Sequence, residues 1–233
     1  MVHQRIVAAD AAAMARLAAE WLADEARLSA TLRGACTLGL AGGSTPRPAY
    51  EALAEPPLRG AIPWDRVQVF FGDERAVPPD HPDSNFRMVN EALIKRVDIP
   101  AENVHRMEAE ADDLERAADR YAALLPEALD VLVLGVGPDG HTASLFPGSP
   151  ALHERKRRVV PARAPKPPER RLTITPPVIA AARRVLVLAA GQDKAEAVAR
   201  ALKGVGTPYQ TPACLARDGV WFLDRAAASL LAD

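Results

Sequence analysis

Apolar positions in this chain follow two alternating rhythms. Between residues 10 and 31, Met14, Leu17, Trp21, Leu22 and Leu28 recur roughly on one helical face, Asp10 stands at the N-cap position and Gly34 follows the end. This spacing predicts a long packing helix. Compact apolar runs then recur as "CTLGL", "VQVFF", "DVLVLGV", "RRVLVLAA" and "GVWFL". Each is short enough for a strand, and helical periodicity resumes after most of them. The first is followed by a helix opening near Pro46, whose missing N–H suits a first turn. The second leads through a charged loop to Ser84, a cap for the helix "NFRMVNEALIKRV", and a helix is expected around 110 to 125 before the third. The chain is expected to close on a strand and a helix, "GVWFLDRAAASLL". Residues 155 to 171, basic and rich in proline, read as an extended, exposed loop.

Strands that are apolar throughout, alternating with helices, predict a mostly parallel sheet covered on both faces: a three-layer, Rossmann-like α/β fold. Style and composition do not change along the chain, so residues 1–233 read as one domain without internal repeats. In such sheets ligands gather beyond the carboxyl ends of the strands. Four loops leave those ends: "AGGSTP", "GDER", "GPDGHTAS" and "GQDK".

The third loop completes a G-x-G-x-x-G spacing from Gly135 to Gly140. A dinucleotide site also needs a long helix after the turn and an acidic residue about 20 positions on. Position 160 is Val160, and Pro147 and Pro150 cut any helix short, so the nicotinamide reading is set aside. What remains is a turn presenting Asp139 and His141 after a buried strand. From the residues alone, two readings stay open there: a base in a cleft, or a cap and a backbone-bonded imidazole.

In "AGGSTP", Gly42 and Gly43 let backbone N–H groups approach an anion, and Ser44 and Thr45 add hydroxyl donors. The loop lacks the Lys-Ser/Thr ending of a P-loop and the G-x-S-x-G of a nucleophile elbow. A tight turn with an N-cap would give the same letters. Asp73, Glu74 and Arg75 follow an aromatic strand end, where charges are partly desolvated and Arg75 can hold an oxyanion or carboxylate. Lys194 falls in the first turn of a helix, a position unfavourable to a cation unless an anion is shared. Arg170 and Arg171 are candidates for the same anion.

Composition narrows the classes further. With 29 basic against 30 acidic residues and a net charge of -1, no global field draws the chain to nucleic acid or anionic membrane, and the basic stretch has no interleaved aromatics. Cys36 and Cys214 have no framework spacing and read as reduced thiols, and no H-E-x-x-H, cysteine pair or carboxylate cluster suggests a metal. His3, His81, His105 and His153 lack a setting like that of His141 and are given surface or structural roles. The N-terminus has neither a signal-peptide core nor a membrane span, so a cytoplasmic protein is expected.

Taken in order, "LAGGSTPRPAYEAL", "FFGDERAVPPDHPDSN", "LVLGVGPDGHTASLFPG", "PKPPERRLTIT", "GQDKAEAV" and "VWFLDRAAASLL" resemble the 6-phosphogluconolactonase family over nearly the whole chain. That resemblance implies the fold shared with glucosamine-6-phosphate deaminases and ribose-5-phosphate isomerases. It implies hydrolysis of 6-phospho-D-glucono-1,5-lactone to 6-phospho-D-gluconate without cofactor, with a small-molecule substrate and a monomer or weak homodimer. Carried onto this sequence, it implies His141 as the base, Arg75 at the substrate or tetrahedral intermediate, and Asp73 and Asp139 orienting these groups. Gly42, Gly43, Ser44, Thr45 and Lys194 are implied at the phosphate, with Arg171 in preference to Arg170 from the R-x-T-x-T alignment. The deaminase branch and a non-catalytic sugar-phosphate sensor are the alternatives; Arg75 after Asp-Glu and the "HTASLFPG" continuation favour the lactonase.

Overall fold

The computed structural model describes residues 4–204 and 206–231. Nine strands occur among them: β1 (Arg5–Ala8), β2 (Cys36–Leu40), β3 (Val67–Phe71), β4 (Asp73–Arg75), β5 (Val131–Gly135), β6 (Val159–Arg163), β7 (Arg170–Ile174), β8 (Arg184–Ala189) and β9 (Val220–Asp224). The helices are α1 (Ala11–Arg33), α2 (Arg47–Leu53), α3 (Leu58–Ala61), α4 (Asn85–Ala92), α5 (Leu114–Leu124), α6 (Pro176–Ala181) and α7 (Ala195–Lys203). Six strands make one parallel sheet in the order β1-β9-β8-β5-β2-β3. The inner strands are buried on both sides, Leu132 to Leu134 and Leu186 to Leu188 at 1% exposure or less, as continuous apolar runs require.

Right-handed crossovers assign the helices to faces. The β1-α1-β2 and β2-α2-β3 units step toward one edge of the sheet, and β8-α7-β9 steps toward the other. Thus α1 and α2 cover one face, packed together, and α7 covers the opposite one beside the 3-10 turn Pro212–Ala216. The expected caps are present: Asp10 accepts from the Ala13 N–H at 2.7 Å, Gly34 ends α1 in the left-handed region, and Ser84 accepts from the Arg87 N–H at 3.1 Å. On α1, however, Leu17 and Leu28 are exposed, and the stripe against the sheet is mostly alanine: Ala15, Ala18, Ala19, Ala23 and Ala26 flank Met14 and Leu22. Small side chains let this helix approach the sheet closely, a preference that leucine spacing does not report.

Two expectations are corrected, and one strand is added. The 155 to 171 stretch is not one loop. β6 and β7 form a hairpin there, which pairs with β4 as a separate antiparallel sheet in the order β4-β7-β6. Leu172, Thr173 and Ile174 are fully buried, and this β-branched core outweighs the flanking prolines and arginines. Only 155 to 158 and 164 to 169 remain loop. After β9 the chain closes in turns instead of a helix, with the Asp224 carboxylate accepting from the Ala227 N–H at 2.7 Å. Finally, Arg5–Ala8 forms an edge strand that its four residues had not announced. His3 lies outside the described residues. No helix among the described residues is long and apolar enough to cross a membrane.

Candidate active site

The order β8-β5-β2-β3 sets the four loops side by side, with the switch in winding direction between β5 and β2. Such a switch opens a crevice at the strand ends. Here it is a cleft of about 600 Å³. Gly42, Gly43, Ser44, Thr45, Asp73, Arg75, Asp139, His141, Arg171 and Lys194 all line it.

Three of the four loops are fixed by a buried polar anchor behind them. The Tyr50 hydroxyl, on α2, accepts from the Ala41 N–H and donates to the Ala41 carbonyl, both at 3.0 Å, which holds the end of β2. Tyr121 does the same at the end of β3, accepting from the Phe71 N–H at 2.7 Å and donating to its carbonyl at 3.2 Å. Burial pushes both phenols above their ordinary range, so they remain protonated donors. Beyond β8, the Gly191 N–H donates to the buried Asp224 carboxylate at 3.1 Å. Gly42 lies so close to Asn85 that a Cβ would stand 1.8 Å from the amide Oδ1, and Gly43 has φ +96°, so both positions call for glycine.

The loop after β5 answers the question its glycines raise. Asp139 Oδ1 lies 2.6 Å from His141 Nδ1 and also accepts from the His141 N–H at 3.1 Å. The carboxylate is acceptor only, so the proton belongs on Nδ1 and Nε2 carries the lone pair. Phe146 covers the imidazole with ring centroids 4.6 Å apart. A Cβ on Gly137 would fall 2.1 Å from the imidazole, so that glycine makes room for a histidine and not for a pyrophosphate. Burial pushes the Asp139 carboxyl up, but its hydrogen bond to His141 and the imidazole's charge pull harder, and the net shift is downward.

The acidic pair after β3 divides its labour. Glu74 is buried and accepts from the N–H groups of Arg75, Asn85 and Phe86 at 2.7 Å each and from Ser84 Oγ at 3.0 Å. It anchors the start of α4, and burial outweighs those donors to raise its pKa. Asp73 accepts from Ser144 Oγ at 2.6 Å and from Asn85 Nδ2 at 3.0 Å, which ties the second loop to the third. Arg75 donates from Nη1 to the Asp83 carbonyl at 2.5 Å, while its Nε and Asn85 Oδ1 are buried with no hydrogen-bond partner among the described residues.

Across the antiparallel pair, Arg75 faces Arg171. Strand alternation separates the two neighbouring arginines: Arg171 lines the cleft, while Arg170 is exposed and donates outward to the Asp112 carbonyl at 3.3 Å. Burial, then the Arg75 charge, lowers the Arg171 pKa. Lys194 sits in the 3-10 turn just before α7, 2.9 Å from Asp193, so an acidic neighbour relieves the conflict with the helix end.

Three polar lining residues escaped the sequence reading: Asn85, Ser144 and Lys166. Asn85 directly follows the recognised Ser84 cap, and Ser144 falls within "DGHTAS", but the Asp73 link connecting them is visible only after folding. Elsewhere His105 stacks on Phe70 at 4.5 Å, and His153 packs against Tyr209 at 5.0 Å. Among the described residues, no three His, Cys, Asp or Glu side chains converge as a metal site.

Counting the lining charges apart from His141, Arg75, Lys166, Arg171 and Lys194 stand against Asp73 and Asp139, an excess of two positive charges. That balances a phosphate monoester dianion. The arrangement therefore offers an imidazole held on its Nδ1 side by a carboxylate, a guanidinium on the same cleft lining and an excess of cationic groups.

Known proteins resemble this one along its length. Residues 9–222 match the family described as glucosamine-6-phosphate isomerases/6-phosphogluconolactonase. The 6-phosphogluconolactonase of Streptomyces coelicolor is 42% identical over 98% of this chain and 94% of its own. The solved 6-phosphogluconolactonase of Trypanosoma brucei superposes with a TM-score of 0.86 at 31% identity, covering 99% of both chains. A monomeric glucosamine-6-phosphate deaminase superposes with a TM-score of 0.85 at 25% identity, over 97% of this chain and 99% of its own.

Proposed function

The chain belongs to the glucosamine-6-phosphate isomerase/6-phosphogluconolactonase family, and from that premise we propose how its own residues hydrolyse 6-phospho-D-glucono-1,5-lactone to 6-phospho-D-gluconate, a step of the oxidative pentose phosphate pathway. The observation that carries the reading is the Asp139–His141 pair in a cleft whose charge matches a sugar phosphate.

The phosphate lies in the Gly42–Thr45 loop, with Lys194 and Arg171 closing on it, and the lactone carbonyl reaches His141. Nε2 accepts a proton from water as its oxygen bonds to C1. Charge developing on the carbonyl oxygen is met by Arg75, whose guanidinium is held in place through the Asp83 carbonyl. When the tetrahedral intermediate collapses, the C1 to ring-oxygen bond breaks and the imidazolium returns its proton to the departing oxygen. Asp139 holds the imidazole in the required tautomer throughout and stabilises its charged form. Asp73 positions the wall through Ser144 and Asn85 without touching the imidazole. A base of this kind contributes about 10²–10⁴-fold, enough for an activated ester that already hydrolyses spontaneously.

The test is hydrolysis of freshly made 6-phosphogluconolactone by the wild type and by His141→Ala against the spontaneous rate. Fast turnover by the wild type with near-background turnover by the variant is expected. A variant that retains wild-type kcat would remove His141 from the mechanism. A wild type no faster than background would remove the lactonase reading, and glucosamine 6-phosphate would be the next substrate assayed.

A further inference from the structure

Lys166 lies in the turn between β6 and β7, outside the four loops that leave the parallel sheet, yet it lines the same cleft with Ala164 and Pro165. The other three lining cations each have a protein partner: Arg75 the Asp83 carbonyl, Arg171 the Pro168 carbonyl at 2.7 Å, and Lys194 the Asp193 carboxylate. Lys166 has none among the described residues. Without it the lining carries an excess of only one positive charge, less than a phosphate dianion requires, and Asp193 already shares Lys194. The turn is not free to drift far from the other cations, because Arg171 Nε holds the Pro168 carbonyl two residues beyond Lys166.

We propose that Lys166 is a further phosphate-binding residue, which closes on the phosphate from the solvent side of the cleft and completes its charge balance. This rests on the lactonase reading above. An exposed lysine costs nothing in buried charge while the cleft is empty, and its flexible stem reaches an anion that the fixed arginines approach from below. Its contribution belongs to substrate capture and retention, not to the chemical step.

The experiment compares wild type, Lys166→Ala and Lys166→Arg, measuring KM and kcat with 6-phosphogluconolactone and the inhibition constant of inorganic phosphate. One charge-assisted contact corresponds to about a tenfold effect. Lys166→Ala is expected to raise KM and the phosphate inhibition constant by that same factor with kcat nearly unchanged, and Lys166→Arg is expected to recover most of both. An unchanged phosphate inhibition constant would overturn the proposal, whether KM stays the same or rises. A fall in kcat alone would overturn it too. Failure of the lactonase reading has its own signature, a wild type that does not exceed the spontaneous rate.

Discussion

Arg75 and Arg171 occupy directly opposed positions on β4 and β7, so two guanidinium-bearing residues share one pair of an antiparallel ladder on the cleft wall. Like charges placed so are unfavourable until an anion lies between or beside them. On the proposed function, this is an electrostatic cost that bound phosphate would relieve. Arg171→Met, which keeps much of the apolar stem, is expected to leave the apo melting temperature equal or higher. The same variant should lose most of the stabilisation that inorganic phosphate gives the wild type, which reaches about 2.7 kcal/mol at 100 times Kd. Thermal melts with and without phosphate check this; an undiminished phosphate shift in the variant would exclude Arg171 from the anion site.

Arg75→Lys keeps the charge but cannot hold the Asp83 carbonyl and present a second donor in one rigid plane. A kcat loss of about 10²-fold is expected, the scale of removing one oxyanion donor. Steady-state kinetics decide the matter, and near-normal turnover would mean that Arg75 acts by charge alone or not at all.

Gly137→Ala tests whether the glycine exists for the imidazole. The added methyl would meet a side chain and not backbone, so the fold should survive while His141 swings out of place. We expect kcat to fall by about 10²-fold or more, approaching the loss of the base itself, with a native circular dichroism spectrum. Unaltered kcat would mean that the imidazole works from another rotamer.

Asp139 carries the pH dependence. Its folded-state carboxyl ionises at lower pH than an ordinary aspartate, so its ionised form stabilises the protein above the ordinary value near 3.9, and this contribution fades as pH falls through the lower folded-state value. The melting-temperature difference between wild type and Asp139→Asn should therefore be largest near neutrality and shrink below about pH 4. A difference that stays constant from pH 7 to pH 3 would contradict the direction of this shift.

Lys194→Ala should raise KM by about 10-fold or more while sparing kcat, because phosphate is bound alike in ground and transition states. Loss confined to kcat would place Lys194 at the lactone instead.

How much of this was readable beforehand follows from where the information resides. The strand-end loops are contiguous segments, so Gly43, Asp73, Arg75, His141 and Lys194 could be picked out by position after an apolar run. The choice between Arg170 and Arg171 needed the register of β7, which alternates the two between solvent and cleft. Asn85, Ser144 and Lys166 stand inside the quoted segments, but the bonds that join Asn85 and Ser144 to Asp73, and the place of Lys166 on the cleft wall, exist only in the folded chain. The β6-β7 hairpin was hidden because prolines and arginines dominate its composition while five buried residues, Val159, Val160, Leu172, Thr173 and Ile174, decide its structure. On α1, alanine carries the contact face, and a search for large apolar residues points the wrong way.

The order β8-β5-β2-β3 has a consequence for how activity is acquired during folding. The loops of these four strands come from segments far apart in sequence, and every pairing among the four strands is parallel and reached through a crossover. Such contacts form late, since a long loop must close before any bond rewards it. No fragment or intermediate lacking β5 or β8 has the pairings that bring Lys194 to the loop that holds Gly43. Recovered turnover during refolding should consequently lag behind recovered helical signal, and activity becomes a reporter of complete assembly of the sheet.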